Sequence, residues 1–299
     1  MDFRAIGMGL AFAFMWSSAF TSARMIVADA PPLTSLALRF LVSGCIGVGI
    51  ALALGQSWRL TRGQWRATII FGICQNALYL GLNFVAMQTI EASLASIVAS
   101  TMPLIVALAG WLIFRERLRP LGIAGLVAGL IGVVIIMGAR INGGVDLFGL
   151  ALTGIGALAL AYATLTVRSA SSGGNLLMIV GLQMLVGAVL LALAAATFEQ
   201  WQVTWSQRLV GAFIYTTLVP GLAATWVWFK LVSRIGAVRA ATFHFLNPFF
   251  GVAIAALLLG EKLGVMDVVG VVIIALGILA VQMSRQVVTP APPVAPRLS

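Results

Sequence analysis

Apolar stretches long enough to cross a lipid bilayer recur ten times in this chain, at roughly 5–27, 33–55, 67–87, 92–113, 121–139, 147–168, 175–197, 209–231, 238–259 and 265–284. A helix needs about 20 such residues to cross a hydrocarbon core roughly 30 Å thick. In lipid the backbone must satisfy its own amides, so runs of this length are read as helices. A chain of 299 residues that is 61% hydrophobic and 9% charged cannot cover a water-facing surface, because such surfaces need many charges. The expected fold class is therefore an all-α integral membrane protein. Connections are short, and the proline-rich end at 285–299, RQVVTPAPPVAPRLS, is expected to be a disordered tail.

A net charge of +10 invites a nucleic-acid reading, but the placement of the charges argues against it. With ten crossings, thirteen of the eighteen Lys/Arg fall on the side of the N-terminus, four fall on the other side, and Arg39 lies within a span. That is the positive-inside asymmetry, so both termini are expected in the cytoplasm. Cys45 and Cys74 sit within apolar runs and read as packing residues, with no disulfide or metal pattern. The segment VADA after the first run resembles a signal-peptidase site. The first helix has a counterpart later in the chain, which argues for its retention.

That counterpart belongs to an internal repeat. Shifted by 145 positions, the chain overlays itself without a gap over about 92–137: Ala92 on Ala237, Pro103 on Pro248, Leu112 on Leu257, Glu116 on Glu261, Gly125 on Gly270, Gly132 on Gly277. Each copy carries five helices, an odd number, so the second must run through the membrane in the opposite sense. The basic RERLR of the first copy becomes GEKLG in the second, as a change of side requires. The expected units are residues 1–140 and 144–284. Inverted repeats of this kind build transporters with a site near mid-membrane between the copies.

Small residues, then proline, an apolar run, E-[RK]-L and a glycine-spaced last helix resemble the EamA unit of the drug/metabolite transporter superfamily. The arginine of ALRFLVSG and the tryptophan of FMWSSAF fit its first two helices. The resemblance implies a ten-helix exporter in a bacterial-type inner membrane; a chain of ten helices already contains its own pseudo-dimer, so a monomer is expected, and no cofactor is expected. Within the superfamily the chain is most similar to exporters of aromatic amino acids and methyl viologen. Carriers of nucleotide-sugars, sugars or purines are the alternative.

Polar side chains inside spans are costly in lipid and mark interior faces or wet cavities. Gln75, Tyr79 and Asn83 repeat at i, i+4, i+8 in the third run and are expected to line a cavity. Trp16, Ser17, Phe20 and, through the repeat, Tyr162 are expected near the pseudo-axis, suited to an aromatic or cationic guest. Ser93, Ser96, Ser100 and Pro103 form one stripe, read either as close helix packing or as a polar wall. His244, Asn247 and Pro248 share a face in the ninth run, and Thr217, Gly221, Thr225 and Trp228 form a weaker stripe in the eighth. Pro103 and Pro248 are the expected hinges. Helices 1, 3, 4, 6, 8 and 9 would bound the site.

Arg39 is a candidate contact for an anion, although the resemblance places arginine here beside dissimilar substrates, which favours a structural role. The eight carboxylates all fall at helix ends or loops. A proton relay would then rest on His244, and a facilitator fits better. The glycines Gly122, Gly125, Gly129 and Gly132 suit either dimerisation or packing between the repeats. No nucleophile–base pair, paired intramembrane acids or metal motif is present, so an enzyme is not expected.

Overall fold

The computed structural model describes residues 2–113, 115, 118–167 and 173–284. Glu116 and the 285–299 tail lie outside the described residues. Ten helices among the described residues are long and apolar enough to cross a membrane: α1 Phe3–Asp29, α2 Pro32–Ala53, α3 Arg62–Ala86, α4 Ala92–Leu112, α5 Pro120–Asn142, α6 Leu147–Thr166, α7 Leu176–Phe198, α8 Gln207–Ile235, α9 Arg239–Leu259 and α10 Val265–Ser284. Large apolar side chains such as Val127, Ile131 and Val134 on α5 stay exposed. They are stable there only if lipid is the solvent.

The helix ends follow local chemistry. Thr61 and Gln64 form a reciprocal capping box at α3, Ser206 caps α8, and Pro32 and Pro120 stand in first turns, where a missing N–H costs nothing. Two ends are closed by glutamates from elsewhere in the chain. Glu199 accepts from the amides of Leu33 and Thr34 and from the Thr34 hydroxyl at the start of α2. Glu261, the acid of GEKLG, accepts from Ala92 N and Ser93 N at the start of α4, at 2.8 and 2.9 Å. The repeated glutamate in this copy therefore closes a helix of the other repeat, with its negative charge against the positive helix end. Glu199→Ala is expected to lower stability by about 0.5–2 kcal/mol, as loss of a cap does. Thermal unfolding in detergent tests this, with Glu199→Gln retaining part of the effect. An unchanged midpoint in the alanine variant would show that the cap contributes nothing.

The two copies do not sit side by side; they interlock. α5 packs along α10 and α2 along α7, each helix against its own equivalent, and α4 crosses α9. α1 packs on α8 and α9, while α6 packs in the same way on α3 and α4. Lipid provides no hydrophobic drive between helices, so close backbone approach and dispersion must hold such pairs. The α5–α10 seam shows how. A Cβ on Gly277 would stand 2.6 Å from the carbonyl oxygen of Gly125 and 2.7 Å from the nitrogen of Gly129. A Cβ on Gly132 would stand 2.9 Å from the carbonyl oxygen of Gly270. The glycine face of α5 is thus consumed inside the molecule.

Four helices depart from α geometry, in matched pairs. α3 winds as a π-helix over Gly72–Leu80 and α8 over Thr217–Ala223, starting at equivalent positions of the two copies. α4 breaks at Thr101 ahead of Pro103, and α9 tightens to 3₁₀ over Thr242–Leu246 ahead of Pro248. Each proline has no N–H to give to the carbonyl one turn earlier. Such departures from the regular helix recur at functional sites.

Candidate transport cavity

The π turns of α3 and α8 face a cavity completed by α1 and α2. Its walls are Trp16, Ala19, Phe20, Ala23, Arg39, Gln75, Tyr79, Leu80, Asn83, Phe84, Met87, Thr216 and Pro220. The space open to the centre of a water molecule is about 50 Å³. The walls are mainly aromatic and aliphatic, with two amides and one cation.

The polar walls are held from behind. Asn83 Nδ2 donates to the carbonyl of Tyr79 at 2.7 Å, while its Oδ1 is buried without a partner. Gly156 on α6 passes so close to Asn83 and the Tyr79 backbone that a Cβ there would meet both at 3.1–3.3 Å. Asn76, one step off the stripe, turns away and donates to the Gln183 carbonyl of α7 at 2.8 Å. On α8, Pro220 offers no N–H to the carbonyl of Thr216, and Arg39 Nε donates to that oxygen at 3.2 Å. The Arg39 guanidinium lies over the Phe40 ring, 5.1 Å from its centroid.

Trp16 also joins an aromatic cluster. Phe12 stands 5.8 Å from Trp16, 4.7 Å from Trp228 and 5.3 Å from His244, centroid to centroid. Phe12 is one turn of α1, about 6 Å, nearer the N-terminal side than Trp16. The cluster therefore lies between the cavity and that side. His244 Nδ1 is 2.9 Å from Asn247 Nδ2, and Ser17 Oγ donates to the Asn247 carbonyl.

At the opposite end, Arg140 bridges Glu91 and Asp267, tying α5 and α10 to the start of α4. A hollow of about 500 Å³ opens beside this bridge. Asp146, on its rim, is held below its ordinary value by the Thr89 hydroxyl and the amides of Gly149 and Phe148.

Several residues singled out from the sequence lie elsewhere. Ser93 and Ser96 are fully buried, and Ser96 fills the space over Gly251 where α4 crosses α9. Ser100 returns its hydroxyl to the Ser96 carbonyl. This stripe packs helices and does not line the cavity. Tyr162 is 59% exposed, on the stripe of α6 that carries Ile155 and Leu158, so it faces outward and not toward the pseudo-axis. Ser17, Trp228, His244 and Asn247 belong to the neighbouring cluster, and Pro103 and Pro248 sit at the helix breaks. None of the lining residues comes from α4, α6 or α9, and α2 enters instead.

In α8 the cavity is lined by Thr216 and Pro220, each one residue before the Thr217 and Gly221 of the stripe expected from the sequence. The 145-residue register held the signal, since it places Gln75 on Pro220.

Comparison with known proteins agrees with this architecture. YvbV of Bacillus subtilis (strain 168), an uncharacterized transporter, is 25% identical over 89% of this chain and 88% of its own. A probable amino-acid metabolite efflux pump of Salmonella typhimurium is 26% identical over 88% of this chain and 90% of its own. The aromatic amino acid exporter YddG of Ancylobacter novellus is 34% identical, over 38% of this chain and 39% of its own. A crystal structure of a protein 21% identical superposes with a TM-score of 0.68, covering 94% of this chain and 96% of that one, and so shares its fold. The model of the EamA-like transporter family matches twice, over residues 3–138 and 147–283. A multi-pass membrane protein of ten helices in two copies of that unit, this chain belongs to the EamA-like transporter family.

Proposed function

We propose that the protein exports amino acids, aromatic ones among them, across a bacterial-type cytoplasmic membrane, as a monomer with both termini in the cytoplasm. The observation that carries this reading is the wall of the cavity. Trp16, Phe20, Tyr79 and Phe84 offer aromatic surface for a planar side chain, and Gln75, Asn83 and Arg39 offer polar contacts for a head group. Two relatives, an aromatic amino acid exporter and a probable amino-acid metabolite efflux pump, support the same class. A nucleotide-sugar would need several cations for its phosphates, and Arg39 alone among the lining residues is one. The glycine seam, used internally, leaves no such face for a dimer.

A pocket for a small organic ligand typically measures about 300–1000 Å³, well above the 50 Å³ found. Binding therefore requires the cavity to widen, and alternating access supplies the motion. Opening toward the N-terminal side separates the Phe12, Trp16, Trp228 and His244 cluster. Opening toward the other side loosens the Arg140 bridge. The helix breaks at Pro103 and Pro248 are the hinges.

The test is uptake of labelled phenylalanine into liposomes holding the purified protein, with and without an imposed pH gradient. Uptake above empty liposomes, competed by tryptophan and indifferent to the gradient, is the expected result for a facilitator. Accumulation driven by the gradient would instead assign coupling to His244. No uptake of any amino acid by folded protein would refute the amino-acid reading.

A further inference from the structure

Arg39 is 6% exposed, and burying a guanidinium is costly unless something opposes its charge. Nothing described in the protein does. The seven described carboxylates are all engaged elsewhere. Asp2 pairs with Arg234, and Glu91 and Asp267 pair with Arg140. Asp29 accepts from Ser206, Asp146 from Thr89, and Glu199 and Glu261 cap helices. Among the described residues Arg39 makes one hydrogen bond, from Nε to the Thr216 carbonyl. That bond fixes one edge of the guanidinium and the Phe40 ring covers one face. The Nη edge has no protein partner, in a residue that walls the cavity.

A purely structural arginine, holding α2 to α8, would need the Nε bond alone. The unmatched charge and the unused planar edge together describe the complement of a carboxylate. We infer that Arg39 is the residue that binds the substrate's carboxylate, through its two Nη groups, and so selects amino acids over the corresponding amines. Paired N–H donors of a guanidinium match the two oxygens of a carboxylate. This rests on the amino-acid reading above and deepens it.

The experiment compares three labelled probes in liposomes: phenylalanine, phenethylamine, which lacks the carboxylate, and 3-phenylpropionate, which lacks the ammonium. Wild-type protein, Arg39→Gln and Arg39→Lys are used, each first shown to be monodisperse. Wild type is expected to prefer phenylalanine to phenethylamine. In Arg39→Gln, phenylalanine uptake should fall by about 10- to 100-fold, the scale of a lost charge-assisted pair. Phenethylamine should change by less than about twofold, against that same scale, and Arg39→Lys should restore phenylalanine in part. Phenylalanine uptake that survives Arg39→Gln overturns the assignment. So does an equal loss of phenylalanine and phenethylamine, the signature of a merely structural arginine. If wild type carries no amino acid, the functional reading fails by itself. The third probe then still decides the subsite: 3-phenylpropionate taken up by wild type and not by Arg39→Gln supports a carboxylate site, and equal uptake removes it.

Discussion

Gly277→Leu is expected to leave almost no folded protein. The α5–α10 seam is backbone on backbone, and a Cβ at position 277 would meet the Gly125 carbonyl, the Gly129 nitrogen and the Gly129 Cα at 2.6–2.8 Å. No flexible side chain stands there to move aside, so one helix must shift. Overpacking typically costs about 1–3 kcal/mol even where side chains give, and a leucine against two backbones should exceed that range. Gly138, also on α5, is the control, since a Cβ there meets nothing within 4 Å. Gly138→Ala should keep full yield and gain up to about 1 kcal/mol in helix propensity. Size-exclusion profiles of fluorescently tagged variants report both. A monodisperse Gly277→Leu would show that α5 and α10 are free to separate.

Trp16→Ala carries the largest expected loss of function among the aromatic walls. The indole serves two neighbours at once, closing the cavity on one side and touching the Phe12 cluster on the other. Removing it takes away a stacking surface for the substrate and part of the barrier toward the N-terminal side. Central aromatic anchors cost 2 kcal/mol or more when truncated, so phenylalanine uptake should fall about 30-fold or further. The variant should still elute as one species, because Trp16 is only partly buried. Transport at the wild-type rate would remove Trp16, and with it this cavity, from the pathway.

How far the sequence led depended on the physics behind each signal. Ten helices could be read because lipid demands long uninterrupted apolar runs. Gln75, Tyr79 and Asn83 could be read because polar groups in lipid need a purpose, and all three line the cavity. Serine gives no such warning. It can return its hydroxyl to its own helix, as Ser100 does to Ser96, and it is small enough to pack against glycine, as Ser96 does on Gly251. A serine stripe therefore looks alike in a wall and in a seam.

The 145-residue register pairs Tyr162 with Ser17. The repeat transfers a helix and its neighbours but not the size of a side chain, and tyrosine points outward where serine fits between helices. Pro220 contributes through what it lacks, a donor for the Thr216 carbonyl, and composition cannot reveal that. The π turns are likewise invisible in the amino-acid pattern.

The bond from Arg39 to the Thr216 carbonyl spans 177 residues of chain. A ribosome adds about 5–20 residues per second, so α2 waits on the order of 10–40 s for α8 to be made. Through that interval its arginine is in or beside the membrane with its eventual acceptor not yet synthesised. The side chain that equips the finished cavity is thus a burden to the nascent chain, and the insertion machinery must tolerate it in α2 long before the fold can.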